Sequence, residues 1–477
     1  MIAMPAAQGG QCIVKTKLTA LKITLTSLCG LFCSWAVAST PLVELDDEQL
    51  AATRGQALLS LSYISPQDQY NFEAQRVNGD KSVGFYKLGL EADVALNANV
   101  RKLQLGCGGV NGINGCDIDI DNLSLSGLKT DANGKMLPMT SAERASSSAQ
   151  LSNPFIEFAI KSPDQTSTRE VVGLRLSAEK VVGLLTAGSN NTEANGINSL
   201  SGYLKINGYG NATTSDGVFG LKPGETVRSY ADINLPVCSG CGSMQGYIAG
   251  YGANDSKNTG LKIPSMKAPF QINNAVVSGT RMTAANVSAI AQIPSIPINS
   301  NSGQLGVALD QKACSFVIAC AQYTFIKLNT SVDNLTANIN FSEGLGYIHN
   351  LPISSAMYLG LQKQQLRWPG AEEVANSGWW LSLQDPVNLG DISPRDKVDI
   401  SSVYPQFAKL LGEKLAEDQY KIKIGLADGI SAIFQAGISK NISPINMQGE
   451  SVNIALKNLI LETQNVTPNC YGGMRFC

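Results

Sequence analysis

The chain has 477 residues and is 44% hydrophobic, which excludes wholesale disorder. Its net charge of −2 offers no basic footprint for nucleic acid. Only 16% of the residues are charged and 6% aromatic, while glycines number 46; such a mixture suits many short strands joined by polar turns and fits long helices poorly.

The amino terminus reads as an export signal. Lys15, Lys17 and Lys22 precede an uncharged run from Ile23 to Ala38 that ends Ala36-Val37-Ala38. A basic start, an apolar middle and a small-x-small end are the marks of a cleaved secretory leader, with the cut expected between Ala38 and Ser39. The run falls short of the ~20 residues a spanning helix needs. Cleavage removes three lysines and no acid, taking the formal charge from −2 to −5. No later stretch is apolar for long enough to predict a helical membrane span. The next segment, Leu45 to Gly55, has acids in its first turn, Arg54 in its last and Gly55 as a cap, so a short helix is expected there.

Eight cysteines follow the leader as four close pairs: Cys107/Cys116, Cys238/Cys241, Cys314/Cys320 and Cys470/Cys477. An even number in an exported chain predicts disulfides, and the clustering favours pairing between neighbours. Each bridge would staple one turn, and loops this short are worth less than about 3 kcal/mol in the entropy model. Cys238-Ser-Gly-Cys241 also has redox or zinc spacing, but Pro236 before it and Gly242 after it do not make a strand-to-helix redox setting. Zinc would require further soft ligands nearby.

Period-two alternation dominates the remainder. Leu88, Leu90, Ala92, Val94, Leu96, Ala98 and Val100 predict a strand over Leu88–Val100 with one face buried. Similar signals occur from Ile118 to Leu125 and at Phe155–Ile160, Val171–Leu176, Tyr203–Ile206, Leu335–Phe341 and Val452–Leu461. Polar stretches at Thr130–Gln150 and Ala187–Ser199 read as surface loops, and Gly106–Gly115 as a disulfide-closed turn. A loose pattern recurs at irregular spacing as Asp121-Asn122-Leu123, Asp333-Asn334-Leu335 and Lys457-Asn458-Leu459. A second helix is expected over Tyr404–Gln419, with Phe407, Leu410, Leu411 and Leu415 on one face. The expected fold is mainly β: an extended antiparallel sheet, a sandwich or a solenoid-like array of short strands, with few short helices and a C-terminal α+β portion. The expected organisation is a leader over 1–38, a short helix and lead-in over 39–75, a β-rich domain over 76–384, and helix plus strands over 385–477.

Residues that carry chemistry are sparse. His349 is the only imidazole, and a histidine-dependent triad would have to use it. It lies in a turn-to-strand passage without a neighbouring acid, so a structural role is expected. Asp117, Asp119 and Asp121 resemble a calcium loop, yet Asn122 and Leu128 stand where that loop needs Gly and Glu. A two-carboxylate hydrolase remains a third option. Trp379 and Trp380 could be an exposed aromatic contact, although burial on two sheet faces fits neighbouring strand positions better. No cofactor, metal or catalytic set is expected.

Three segments carry a family resemblance: Leu45-Asp46-Asp47-Glu48-Gln49-Leu50 through Gly55-Gln56-Ala57-Leu58-Leu59-Ser60, Asn153-Pro154-Phe155-Ile156-Glu157-Phe158-Ala159-Ile160, and Gly378-Trp379-Trp380-Leu381-Ser382-Leu383. They resemble exported gammaproteobacterial filament (Fil-type), pilus-assembly and haemagglutinin-like surface proteins. The resemblance implies a non-enzymatic structural or adhesive protein at the cell surface or outer membrane, with other surface or filament proteins, or copies of itself, as partners. The alternative is a periplasmic or outer-membrane-associated carrier of lipid or another apolar ligand, because alternating strands with little helix to cover them leave an apolar groove. A transmembrane barrel would need aromatic girdles that this composition does not favour.

Overall fold

Long alternating segments make strands here, and strands make up most of the structure. The computed structural model describes residues 58–190, 192–234, 243–249, 251–253, 256–299, 301–316, 319–434 and 436–467. The expected leader, with its cut between Ala38 and Ser39, and the expected helix over Leu45–Gly55 lie outside the described residues. The cysteines Cys238, Cys241, Cys470 and Cys477 lie outside them as well. The first strands are β1 (Leu59–Ile64), β2 (Val83–Leu90), β3 (Asp93–Leu96), β4 (Ala98–Leu105), β5 (Ile118–Ser126), β6 (Ala149–Lys161) and β7 (Glu170–Thr186). The middle of the chain supplies β8 (Ile197–Thr213), β9 (Gly217–Phe219), β10 (Val227–Ile233), β11 (Ser243–Ala249), β12 (Gly260–Ile263), β13 (Lys267–Met282) and β14 (Ala284–Gln292). It continues through β15 (Ile296–Ile298), β16 (Gly303–Phe316), β17 (Ala319–Asp333), β18 (Thr336–Gly344), β19 (Asn350–Ile353), β20 (Met357–Gln362), β21 (Gly378–Leu383) and β22 (Val387–Asp391). The last strands are β23 (Ile422–Ile424), β24 (Ile438–Asn441), β25 (Ile445–Asn446) and β26 (Ser451–Lys457). Helices are short: α1 (Phe72–Gln75), α2 (Ser141–Ala145), α3 (Tyr404–Leu415) and α4 (Leu426–Ile433).

The mainly β expectation is met by two mixed sheets. The larger has 16 strands and runs β1-β2-β6-β7-β20-β21-β8-β13-β14-β18-β26, with β3, β4, β5, β19 and β22 attached to the side. The smaller has 10 strands and contains β15-β17-β16-β11-β10-β23. The C-terminal strands add parallel partners: β22 joins β8, β23 joins β10, and β26 joins β18. Apolar faces of the two sheets, with Phe407, Leu411 and Leu415 of α3, share one large core. The predicted helix thus forms, ending at Leu415 rather than Gln419. Gly412 lets it lie against the sheet, since a Cβ there would strike the Arg228 carbonyl.

The recurring Asn pattern has one backbone meaning. Asn122, Asn334 and Asn458 all sit in the left-handed region, at φ of 50°, 60° and 51°. Among residues with a side chain, Asn tolerates that conformation best, because its short amide can bond locally. Each kink precedes a leucine that packs on the core, Leu335 fully and Leu123 and Leu459 in part.

The expectation of one strand over Leu88–Val100 needs correction. The segment is divided among the end of β2, β3 and the start of β4. At the first break the Ala92 amide donates to the Leu90 carbonyl and closes a tight turn. Nor is one face of it buried, for Leu88, Leu96 and Val100 are exposed. Leu88 and Leu96 instead belong to the open surface described next.

Candidate functional site

Register places apolar residues side by side across the first part of the large sheet. One row runs Tyr63–Tyr86–Phe158–Leu174–Leu361–Trp379 through β1, β2, β6, β7, β20 and β21. Two residues along, the next runs Leu61–Leu88–Ile156–Leu176–Leu359–Leu381. A third holds Leu59–Leu90 and Pro154–Ala178–Met357–Leu383. Residues two apart on a strand point the same way, so all three rows lie on one face. Leu61 is 77% exposed, Leu176 47%, and Leu88, Ile156, Phe158 and Leu361 are exposed too.

The face is hollowed into two adjoining troughs. One, of about 620 Å³, is lined by Leu59, Leu88, Leu90, Leu96, Leu125, Leu151, Ile156, Leu176, Val181 and Leu359. The other, of about 480 Å³, is lined by Val110, Val171, Leu174, Leu361 and Trp379. Leu174 and Leu176, like Leu359 and Leu361, are neighbours on that face, so the troughs meet along β7 and β20. Volumes of this size match small-molecule sites, which are concave and mostly apolar. Soluble proteins rarely leave so much contiguous apolar surface without a partner for it.

The opposite face of the same strands is covered over part of its area. Residues 363–377 lay Leu366, Trp368, Ala371 and Ala375 over Phe85, Tyr358 and Trp380, forming a second core. Within this layer Arg175 pairs with Glu157 at 2.6 Å and donates to the Pro369 carbonyl at 2.8 Å. Its guanidinium lies 5.2–5.4 Å from the ring centres of Phe155, Tyr358 and Trp368. Burial pushes the Glu157 carboxyl up, and the neighbouring Arg175 charge opposes that shift. A cleft of about 400 Å³ opens beside the pair. Its other charges, Lys87 and Glu179, bond each other at 3.0 Å.

Trp379 and Trp380 fall on the two faces, as neighbours on a strand must. Trp380 is buried beneath 363–377, while Trp379 is partly buried and lines the smaller trough. His349 lies away from both troughs, buried, with Nδ1 on the Ala187 carbonyl at 2.9 Å. Burial lowers its pKa and favours the neutral ring. Asp117 is buried against Arg281 at 3.0 Å, whereas Asp119 and Asp121 both pair with Lys102. Among the described residues no cluster of acids, histidines and cysteines is arranged to hold a metal.

Of the four expected bridges, the one between Cys107 and Cys116 forms and closes the tip of the β4–β5 hairpin. Cys320 is also disulfide-bonded, and Cys314 is its register partner across β16 and β17. The expected bridge between Cys238 and Cys241 lies outside the described residues. So does the expected bridge between Cys470 and Cys477, because the last described residue is Thr467; Cys477 is therefore not among the cysteines whose bonding the structure describes.

The apolar rows, Arg281 and the Glu157–Arg175 pair were not singled out as a site by sequence reasoning. The one available signal was apolar alternation in β1, β2, β6 and β7 without a helix to cover it. Among the described residues no helix is long and apolar enough to cross a membrane. Comparison with family models, with curated proteins and with solved structures finds no match for this chain.

Proposed function

We propose that this chain is an exported, non-enzymatic binding protein that carries lipid or another apolar ligand on the open face of its large sheet. The exposed part of the three rows (Leu61, Leu88, Ile156, Phe158, Leu176 and Leu361), which no described element covers, is with its adjoining troughs the observation that carries this reading. Its lining is aliphatic over most of its length. Hydrocarbon chains therefore fit it better than a ligand recognised through hydrogen bonds. The covering layer is on the other face, so no element of the described chain needs to move for a ligand to dock. Native mass spectrometry of protein purified without detergent tests the proposal directly. Bound lipid is expected, with loss of it in Leu176→Asp. An apo mass, together with no uptake of a fluorescent fatty acid, would overturn it.

A structural or adhesive role at the cell surface, as part of a filament, is the second reading, and β1 favours it. This strand pairs only with β2 among the described strands, and Leu59-Ser60-Leu61-Ser62-Tyr63-Ile64 holds no charge or proline. Edges without such guards recruit further strands. Concentration-dependent self-association, together with loss of surface fibres in a deletion strain, is expected on this reading. A monomer at all concentrations and unchanged fibres would refute it.

A further inference from the structure

The hairpin tip that joins β4 to β5 forms part of the lining of the smaller trough. From Leu103 to Cys116 the chain has no charged residue, and Cys107–Cys116 closes the loop. Two aliphatic side chains project from it: Val110 is 65% exposed and Ile113 86%. Val110 also lines the trough, beside Leu174, Leu361 and Trp379.

What distinguishes this loop from an ordinary glycine-rich turn is how its backbone is satisfied. Arg281 reaches into it, donating to the carbonyls of Gly106 at 3.1 Å, Gly112 at 3.0 Å and Asn114 at 2.6 Å. Its Nε pairs with the buried Asp117 at 3.0 Å. Asp117 in turn accepts from Asn111 Nδ2 at 2.9 Å and from the Trp379 amide at 3.0 Å. Asn111 donates as well to the Ser377 carbonyl at 2.9 Å. Arg281 itself holds a left-handed backbone at φ 50°, an uncommon conformation for a long side chain, and its amide is tied to Ser201 Oγ at 2.8 Å. These carbonyls, and that of Gly109, which accepts from the Gly112 amide, already have protein donors, so this part of the irregular backbone loses fewer hydrogen bonds on approaching an apolar medium.

We infer that this disulfide-closed tip is a membrane-contact element, inserting Val110 and Ile113 into the interfacial layer of a lipid bilayer so that the adjoining trough opens onto the acyl chains. The inference rests on the carrier reading for its purpose, but the contact itself can be tested separately. Two aliphatic side chains provide a weak, reversible hold rather than an anchor, as one short acyl chain does. Release is therefore fast, which a protein that loads and leaves requires. The loop carries no charge, so attachment does not depend on anionic lipid and changes little with salt.

The test uses the mature full-length chain with phosphatidylcholine vesicles, comparing wild type, Val110→Asp/Ile113→Asp and Leu176→Asp. Cosedimentation is expected to fall about tenfold or more in the loop variant, and to survive in Leu176→Asp. Fatty-acid uptake from vesicles should slow by a similar factor in the loop variant; Ile113→Asp alone, at a position outside the trough lining, should slow it in the same direction while uptake from detergent-free solution stays at the wild-type level. Val110→Ser/Ile113→Ser should give a smaller loss in the same direction. Absence of wild-type vesicle binding, equal binding by the loop variant, or binding abolished by moderate salt would each overturn the membrane contact. Failure of wild type to take up fatty acid from solution, with loop-dependent vesicle binding intact, would retire the carrier reading and leave the contact standing.

Discussion

Replacing Glu343 by Gln should make the protein more stable at pH 8 and leave it unchanged near pH 4. Glu343 lies near the end of β18, 8% exposed, opposite Ala285 of β14. One carboxyl oxygen accepts from the Leu459 amide at 2.7 Å, and the other has no hydrogen-bond partner. Burial pushes its pKa up to about 7, and the single amide bond only partly offsets that. The folded chain therefore binds this proton more tightly than the unfolded chain does. Stability attributable to the group is fully present below its ordinary value of 4.5 and is lost as pH rises through about 7. A shift of this size has a ceiling of about 3 kcal/mol. Residual hydration around a surface-strand carboxyl lowers the expected loss to about 1–2 kcal/mol. Urea unfolding of wild type and Glu343→Gln from pH 4 to pH 8 supplies the comparison, because other carboxylates cancel in the difference. The variant's advantage should grow between pH 4.5 and 7 and then level off. A difference that stays constant across that range would refute the reasoning.

Three other outcomes follow from particular contacts. Arg175→Met strands the buried Glu157 carboxylate and should cost about 3–5 kcal/mol in urea unfolding; adding Glu157→Gln should recover much of it, and no recovery would rule out the pair as the cause. Asn122 holds φ 50° with an exposed side chain, so Asn122→Gly should be nearly neutral and Asn122→Ala should cost about 1 kcal/mol; equal effects of the two would contradict the left-handed assignment. Leu176→Asp, at a half-exposed position, should abolish apolar-ligand binding while changing stability by less than about 1 kcal/mol, as checked by ligand titration beside thermal unfolding.

The sequence by itself determined strand content, while some strand breaks, such as those within Leu88–Val100, escaped it. Alternation marks β5, β6, β7 and β18 because a half-buried strand selects side chains with period two. The recurring Asn-Leu pattern was visible as a pattern, and its meaning, a left-handed backbone at Asn122, Asn334 and Asn458, came from the structure. The α3 helix was legible from Phe407, Leu411 and Leu415, and the Cys107–Cys116 staple from spacing along the chain. Local physics of this kind survives in one dimension.

Only the tertiary structure decided which apolar face is covered. In β6, both Phe155 and Ile156 are apolar, yet Phe155 is buried beneath the Arg175 guanidinium while Ile156 is 39% exposed on the open face. Nothing within that strand separates them. Arg175, held by the Pro369 carbonyl of the segment 363–377, makes the difference, and that segment is distant in sequence and covers part of one face. Arg281 reaches the Gly106–Asn114 carbonyls from β13, more than 160 positions away. Register between strands distant along the chain turns separate leucines into three contiguous rows, because pairing geometry is a property of the assembled sheet and no single segment encodes it.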